Sequence, residues 1–376
     1  MYDAIVIGLG GVGSAALMQL AARGLKVLGI DRFPPGHDRG SSHGESRVIR
    51  MAYYEHADYV PLLRRAYQLW GELETRSRKQ LFHRVGLLEV GPPDGAVVPG
   101  VLQSAQKHGL AVESLDAQQV AARFPGFHIP AGMSAVFEAD AGYLLVEDCV
   151  IAHACAAVEL GAEMHIGPTV QAWRADGHNL QVVTDRGTYQ SERLVITAGP
   201  WARDLLQDLG IPLRVVRKHL HWFRTCEPWY GRAAACPAFL YEMPHGVFYG
   251  LPEIGTATVK VGEHTGGVEV DDPLVDPREA EPVDQQRVAA FLRQCLPGVG
   301  SEVVRHARCF YTLSPDEHFL VDRHPAHPQV AFAAGLSGHG FKFTPVLGEA
   351  MADMVIEGKT KQPVGFLGLE RFVQRH

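Results

Sequence analysis

The chain has 376 residues, of which 46% are hydrophobic and 20% charged, the balance of an ordinary globular enzyme rather than a disordered or fibrous chain, and its length argues for two domains. A formal net charge of −7 without any Lys/Arg run argues against nucleic acid and against anionic membranes, both of which need a basic face. Six scattered cysteines with no CxxC pair suggest cytosolic thiols, and neither a zinc site nor a secreted disulfide framework.

Met1 runs straight into an apolar stretch, Asp3 to Ile7, with no basic leader before it, and it reads as a strand. Gly8-Leu9-Gly10-Gly11-Val12-Gly13 then turns into a helix from about Ser14 to Arg23, closed by Gly24. A second strand, Lys26 to Ile30, ends on Asp31, 18 positions past Gly13, and completes a strand–helix–strand unit. Glycines let the backbone approach a pyrophosphate, the helix N-terminus offers free N–H groups, and Asp31 can accept from ribose hydroxyls. A dinucleotide is therefore expected here. An acid at this position disfavours the 2′-phosphate of NADP but leaves NAD and FAD open.

Gly40-Ser41-Ser42-His43-Gly44-Glu45-Ser46-Arg47 reads as a polar loop, and Tyr59 to Thr75 as an amphipathic helix. Gln171 to Tyr189 alternates like a meander turning at Asp185-Arg186-Gly187, Ser191 to Ala198 is a strand closed by Gly199-Pro200, and Trp201 to Leu209 looks helical. From about Arg214 to Ala307 the texture changes to short alternating strands, such as Gly246 to Leu251 and Thr256 to Glu263, with a helix near Gln285 to Cys295. Gln329 to Ala334 is again a strand, Gly335 to Gly340 a glycine loop and Pro345 to Ile356 a helix. The chain thus begins and ends in nucleotide-domain units. No apolar run of about 20 residues exists to span a membrane, and Val373-Gln374-Arg375-His376 is no organelle address, so a cytoplasmic enzyme is expected.

Three stretches together resemble the monomeric sarcosine oxidase family, with its relatives N-methyltryptophan oxidase and pipecolate oxidase. They are Gly40 to Arg50, Cys309-Phe310-Tyr311-Thr312 with Asp316-Glu317-His318-Phe319, and Gly335-Leu336-Ser337-Gly338-His339-Gly340-Phe341-Lys342-Phe343. The resemblance implies an α/β to α+β chain: a Rossmann-type FAD-binding domain from 1–82, 143–214 and 316–376, and a mostly antiparallel β substrate domain from 83–142 and 215–315. It implies FAD held by Gly8, Gly10, Gly11, Val12, Gly13, Asp31, Arg32, Ser42, His43, Arg47, Val170, Ala198, Gly199, Trp201, Gly338, Gly340, Phe341 and Lys342. Covalent attachment would be through a thioether at Cys309, with Arg47 and His43 as cationic neighbours of the flavin.

By the same resemblance Arg50 and Lys342 clamp the substrate carboxylate, which a closed apolar pocket must pair with cations. Lys260 would reach the flavin N5 through water and assist oxygen reduction, and His264, Tyr249 and Tyr311 would line the pocket. Lys260 and His264 share a strand face by their even spacing. The implied reaction oxidises the C–N bond of an N-methyl or cyclic secondary amino acid to an imine, with O2 reduced to H2O2, in a monomeric enzyme without metal. Glu263, Thr265-Gly266-Gly267 and Phe310 depart from the family pattern, so N-methyltryptophan or pipecolate specificity is an alternative; so is an amino acid dehydrogenase that passes electrons to a quinone. Taken without the resemblance, the Gly8 to Asp31 unit alone would also suit an NAD-dependent dehydrogenase.

Overall fold

In this computed structural model, which describes residues 1–372, two large sheets face each other across a cavity; Val373-Gln374-Arg375-His376 lies outside the described residues. The first sheet has a parallel core in the order Glu163–Ile166, Val27–Asp31, Tyr2–Ile7, Gly187–Ile196 and His327–Ala334. Its central strands are continuous apolar runs because both faces are covered, as the fully buried Ala4, Ile5, Val6, Leu28 and Ile30 show. Gly11–Ala22, Val60–Ser77, Val146–Glu159 and Thr344–Glu357 pack on one face, and Ala202, Leu205 and Leu206 on the other. Parallel strands all end at one edge of the sheet. That edge gathers Gly8, Asp31, Thr197 to Gly199 and the Gly335 to Gly340 loop, segments far apart in sequence.

The second sheet is mostly antiparallel. Arg214–Thr225, Thr258–Glu263, Gly246–Leu251 and Ala238–Met243 follow one another, and Leu87–Gly91 joins Ala238–Met243 in parallel. The fifteen-residue strand Val299–Leu313 flanks Arg214–Thr225 over most of its length. The outer face is an aromatic layer under the helix Pro282–Cys295, with Phe248 stacked on Phe291 at 4.7 Å between ring centroids. Register places Trp222 beside Lys260, Lys260 beside Leu251, Tyr249 beside Gly262 and Lys218 beside Cys309, so these residues share the inner face.

One expected element is broken. Trp201 to Leu209 is no continuous helix but the four-residue α-turn Ala202–Leu205 between short 3-10 segments, because Leu206 leaves the helical region at φ −123° and Gly210 ends the segment at φ +67°. Three helices, Val97–His108, Ala117–Arg123 and Val146–Glu159, were not anticipated. Among the described residues no helix is long and apolar enough to cross a membrane.

Candidate active site

The cavity between the sheets, which is partly open to solvent, has two chemically different ends. At the first, Gly10 caps the helix Gly11–Ala22 without a side-chain cap of its own, which leaves first-turn N–H groups for the cavity, and Gly11 N donates to Ser42 Oγ at 3.2 Å. Asp31 accepts from Leu9 N at 2.6 Å and from Phe33 N at 2.8 Å, which fixes the loop and leaves its carboxylate at the cavity edge. Gly13 is compulsory here: a Cβ would lie 1.7 Å from Gly8 O. Gly8, Gly10, Gly11, Val12, Asp31, Arg32, Ser42, Val170, Ala198, Gly199 and Trp201 all line this end. Trp201 Nε1, Thr312 Oγ1 and Thr344 Oγ1 are buried without hydrogen-bond partners, although Trp201, Thr312 and Thr344 all border the cavity. A long polar ligand would supply what these groups lack.

The other end is ionic. Arg50 and Lys342 are 3% and 5% exposed, and both line the cavity together with Tyr54, Glu55, Tyr249, His264 and Tyr311. Arg50 is sandwiched near the rings of Tyr53 and Tyr54, at 4.8 and 4.5 Å from their centroids. Its Nη2 donates to Glu55 at 2.5 and 2.7 Å, and its Nη1 lies 3.3 Å from Glu89. Burial would raise the Glu55 carboxyl, but Arg50 above all holds it down at about 2. Burial, and then the nearby Arg50 charge, push the Lys342 ammonium down to about 7. Lys342 Nζ donates to His339 O at 2.8 Å and Trp70 Nε1 to Lys342 O at 3.0 Å, which pins the residue between Phe341 and Phe343. His264, with Nδ1 3.3 Å from Tyr311 OH, is depressed by burial to about 3 and is neutral. Gly338, at φ +82°, admits the Tyr311 ring so closely that a Cβ would sit 2.3 Å from it.

Between the two ends stands Arg47, fully charged. Burial works against that charge, but Cys309, Tyr249 and Tyr311 favour it, and Nη1 and Nη2 donate to Ser46 O and Ser41 O at 3.0 and 3.1 Å. Three expected site residues, Lys260, Cys309 and His43, are buried one layer behind the cavity wall instead of forming it, as is the loop glycine Gly13. Lys260 Nζ donates to Gly44 O at 2.7 Å, to Ser46 Oγ at 3.2 Å and to Ser46 O, so it ties the Gly40–Arg47 loop to the sheet, and burial drives its ammonium well below the usual range. Burial, reinforced by Arg47, brings His43 to about 3, which corrects the expectation that it is a second cation. Phe310 packs with Val215 and Val270, in a different cluster from Cys309 and Tyr311, and this departure from the family pattern also borders the cavity. The other departures do not line the cavity. Glu263 pairs with Arg287 at 2.6 Å, and the carbonyls of Thr265 and Gly266 accept from Lys218.

Sequence reading missed Glu55, Tyr54, Glu89 and Glu147. Glu147 accepts from Gly44 N and Glu45 N at 2.7 and 3.0 Å and so shapes the polar loop. Of these, only the Tyr53-Tyr54-Glu55 run shortly after Arg50 carried a visible signal.

A nucleotide cradle that opens onto a buried ionic pocket defines a flavin-type oxidoreductase, since the first end suits a dinucleotide and the second a small charged substrate. The chain matches the family of FAD dependent oxidoreductases over residues 3–354 and belongs to it; it is an FAD-dependent enzyme. It is 40% identical over 378 residues to monomeric sarcosine oxidase of Streptomyces avermitilis, covering 98% of this chain and 97% of that protein. It is 40% identical over 361 residues to N-methyl-L-tryptophan oxidase of Salmonella dublin, covering 96% and 95%. Among solved structures, NikD, an unusual amino acid oxidase essential for nikkomycin biosynthesis, superposes with a TM-score of 0.86 at 27% identity over 98% of this chain and 97% of that one.

Proposed function

We propose that the chain oxidises N-methyl or cyclic secondary amino acids, with the substrate carboxylate held between Arg50 and Lys342. The observation that carries this reading is a pair of buried cations on the wall of the cavity that the nucleotide cradle opens into. Similarity to a sarcosine oxidase and an N-methyl-L-tryptophan oxidase supports the substrate class. FAD held at the nucleotide end would supply the two-electron acceptor for oxidation of the C–N bond to an imine, with O2 as the final acceptor and H2O2 as its product. Water then hydrolyses the imine, and an N-methyl substrate yields formaldehyde and the demethylated amino acid.

The chain's own residues set the conditions for that chemistry. A carboxylate entering the pocket displaces Glu55 from Arg50 Nη2, exchanging one ion pair for another at little electrostatic cost. Arg50 and Lys342 then fix the substrate's orientation, which removes much of the entropic barrier to reaction. Neutral His264 and the Tyr249 and Tyr311 hydroxyls offer hydrogen bonds to the amine without adding charge, so the amine is bound in its neutral, oxidisable form. Arg47 presents a permanent positive charge from the sheet side.

We place the covalent flavin link at Cys309, which shares the inner sheet face with Tyr249 and Tyr311, next to Arg47. We also propose a cofactor domain of 1–82, 143–214 and 316–376 and a substrate domain of 83–142 and 215–315, a reading supported by the separate strand membership of the two large sheets. Free cysteines among the described residues support a cytoplasmic enzyme, and similarity to a monomeric sarcosine oxidase supports a monomer. The test is a panel of N-methyl and cyclic secondary amino acids assayed for peroxide with the flavin-loaded enzyme. Peroxide from at least one member supports the reading, and dye reduction without peroxide would make the chain a dehydrogenase. Turnover of no secondary amino acid would overturn the substrate class.

A further inference from the structure

Glu89 lies outside the cavity wall, on the inner strand Leu87–Gly91, and is 0% exposed. Neither of its carboxylate oxygens has a hydrogen-bond partner, and its nearest cation is Arg50, 3.3 Å away through Nη1. A carboxylate without hydrogen bonds in such a place is costly and has no role in packing that an apolar side chain could not fill. Arg50 therefore has two acidic neighbours of different kinds: Glu55 on the cavity side, bonded through Nη2, and Glu89 behind it on Nη1. Arg50 Nε is buried and unpartnered, so the guanidinium still has a free donor.

We propose that Glu89 is a positioning residue of the carboxylate clamp: it holds Arg50 from behind while Glu55 is exchanged for the substrate, and its protonation state sets how strongly Arg50 binds a carboxylate. This inference rests on the amino acid reading above. The charged and titratable groups around Glu89 are Arg50, Lys342, Glu55 and Glu138, with the Tyr54 hydroxyl nearby. Burial pushes its carboxyl up; Arg50 opposes this and Glu138 and Glu55 add to it, giving a value of about 8. Below that pH Glu89 is neutral and Arg50 is available to the ligand. Above it, ionised Glu89 competes with the ligand for the same guanidinium. Lys342 loses its own charge in a neighbouring range, near 7, so two separate protonations favour binding of a carboxylate.

The experiment uses the flavin-loaded enzyme and methoxyacetate, a carboxylate of substrate size with no titratable amine, with Kd measured by calorimetry from pH 6 to 9.5. In the wild type, Kd is expected to climb with a limiting slope approaching two, a hundredfold per pH unit at the alkaline end, because both protons are lost. In Glu89→Gln, whose amide still accepts from Arg50 but cannot ionise, the slope falls to one while the acid-side Kd stays within about threefold. In Glu89→Val the anchor is gone, and the acid-side Kd is expected to rise by about tenfold or more with the flavin spectrum unchanged. A Glu89→Gln profile that keeps the wild-type slope overturns the proposal, as does a Glu89→Val enzyme that binds as tightly as wild type. Failure of the wild type to bind methoxyacetate at any pH counts instead against the amino acid reading.

Discussion

The two ends of the cavity are built in opposite ways. The nucleotide end is made of backbone: glycines, uncapped N–H groups and one carboxylate spent on holding its own loop. The substrate end is made of buried charge, with Arg50, Lys342, Glu55 and Glu89 within one ionic cluster. Backbone contacts do not titrate, whereas Lys342 and Glu89 do so close to neutrality. Cofactor binding should therefore be sensitive to shape and indifferent to pH, and substrate binding the reverse.

The sharpest way to break this contrast is Gly13→Val. With a Cβ 1.7 Å from Gly8 O the loop must be rebuilt, and the purified variant is expected to lack flavin entirely, read from its visible absorbance. Next comes Arg50→Met, which leaves buried carboxylates without a cation. Removing one partner of a buried charge pair typically weakens binding by about 2–5 kcal/mol, so kcat/KM should fall by about a hundredfold or more as the substrate carboxylate loses its guanidinium. Flavin content should be retained, and its loss would show that the two ends are not separable.

Linkage gives a third test, with a definite sign for each group. Lys342 has its folded value near 7, far below its ordinary range, so the unfolded chain binds more protons above that pH and this group makes stability rise as pH increases through 7 and beyond. Glu89, raised to about 8, does the opposite: the folded chain keeps a proton that the unfolded chain has released, and stability falls as pH rises from the ordinary carboxylate range to 8. Thermal unfolding across pH should lose the first component in Lys342→Met and the second in Glu89→Gln, while a cofactor-end variant such as Ser42→Ala changes neither. A smaller effect is expected of Glu55→Gln: with its competitor weakened, Arg50 should bind substrate about two- to fivefold more tightly in KM, with kcat little altered. Cys309→Ser should leave kcat/KM reduced but move the flavin from the acid precipitate to the supernatant, and retention in the pellet would remove Cys309 as the attachment point.

The same contrast explains what could be read from the sequence. The strand, glycine loop, helix and Asp31 are a local pattern within the first 31 residues, and the structure reproduces them within a few positions as Tyr2–Ile7, Gly11–Ala22 and Val27–Asp31. The helices near Tyr59, Gln285 and Pro345 were equally legible from periodicity. The long strand Arg214–Thr225 was hidden because His219 and His221 on one face and Lys218 on the other are all buried, which erases the apolar and polar alternation. Glu89 and Glu147 could not be found because their partners, Arg50 and the Gly44 and Glu45 amides, meet them only in three dimensions. His43 and Lys260 were recognised by their setting, but their charge state and layer depend on burial that no motif encodes.

The central claim is that the ionic end presents a secondary amino acid to bound FAD. Anaerobic mixing of the purified, flavin-loaded enzyme with sarcosine, N-methyltryptophan and pipecolate in turn tests it most directly. The account predicts that the visible flavin band bleaches with at least one of them and that Arg50→Met slows the bleaching by about a hundredfold or more at the same concentration. A flavin band that stays oxidised with every secondary amino acid, or bleaching at the wild-type rate in Arg50→Met, would contradict it.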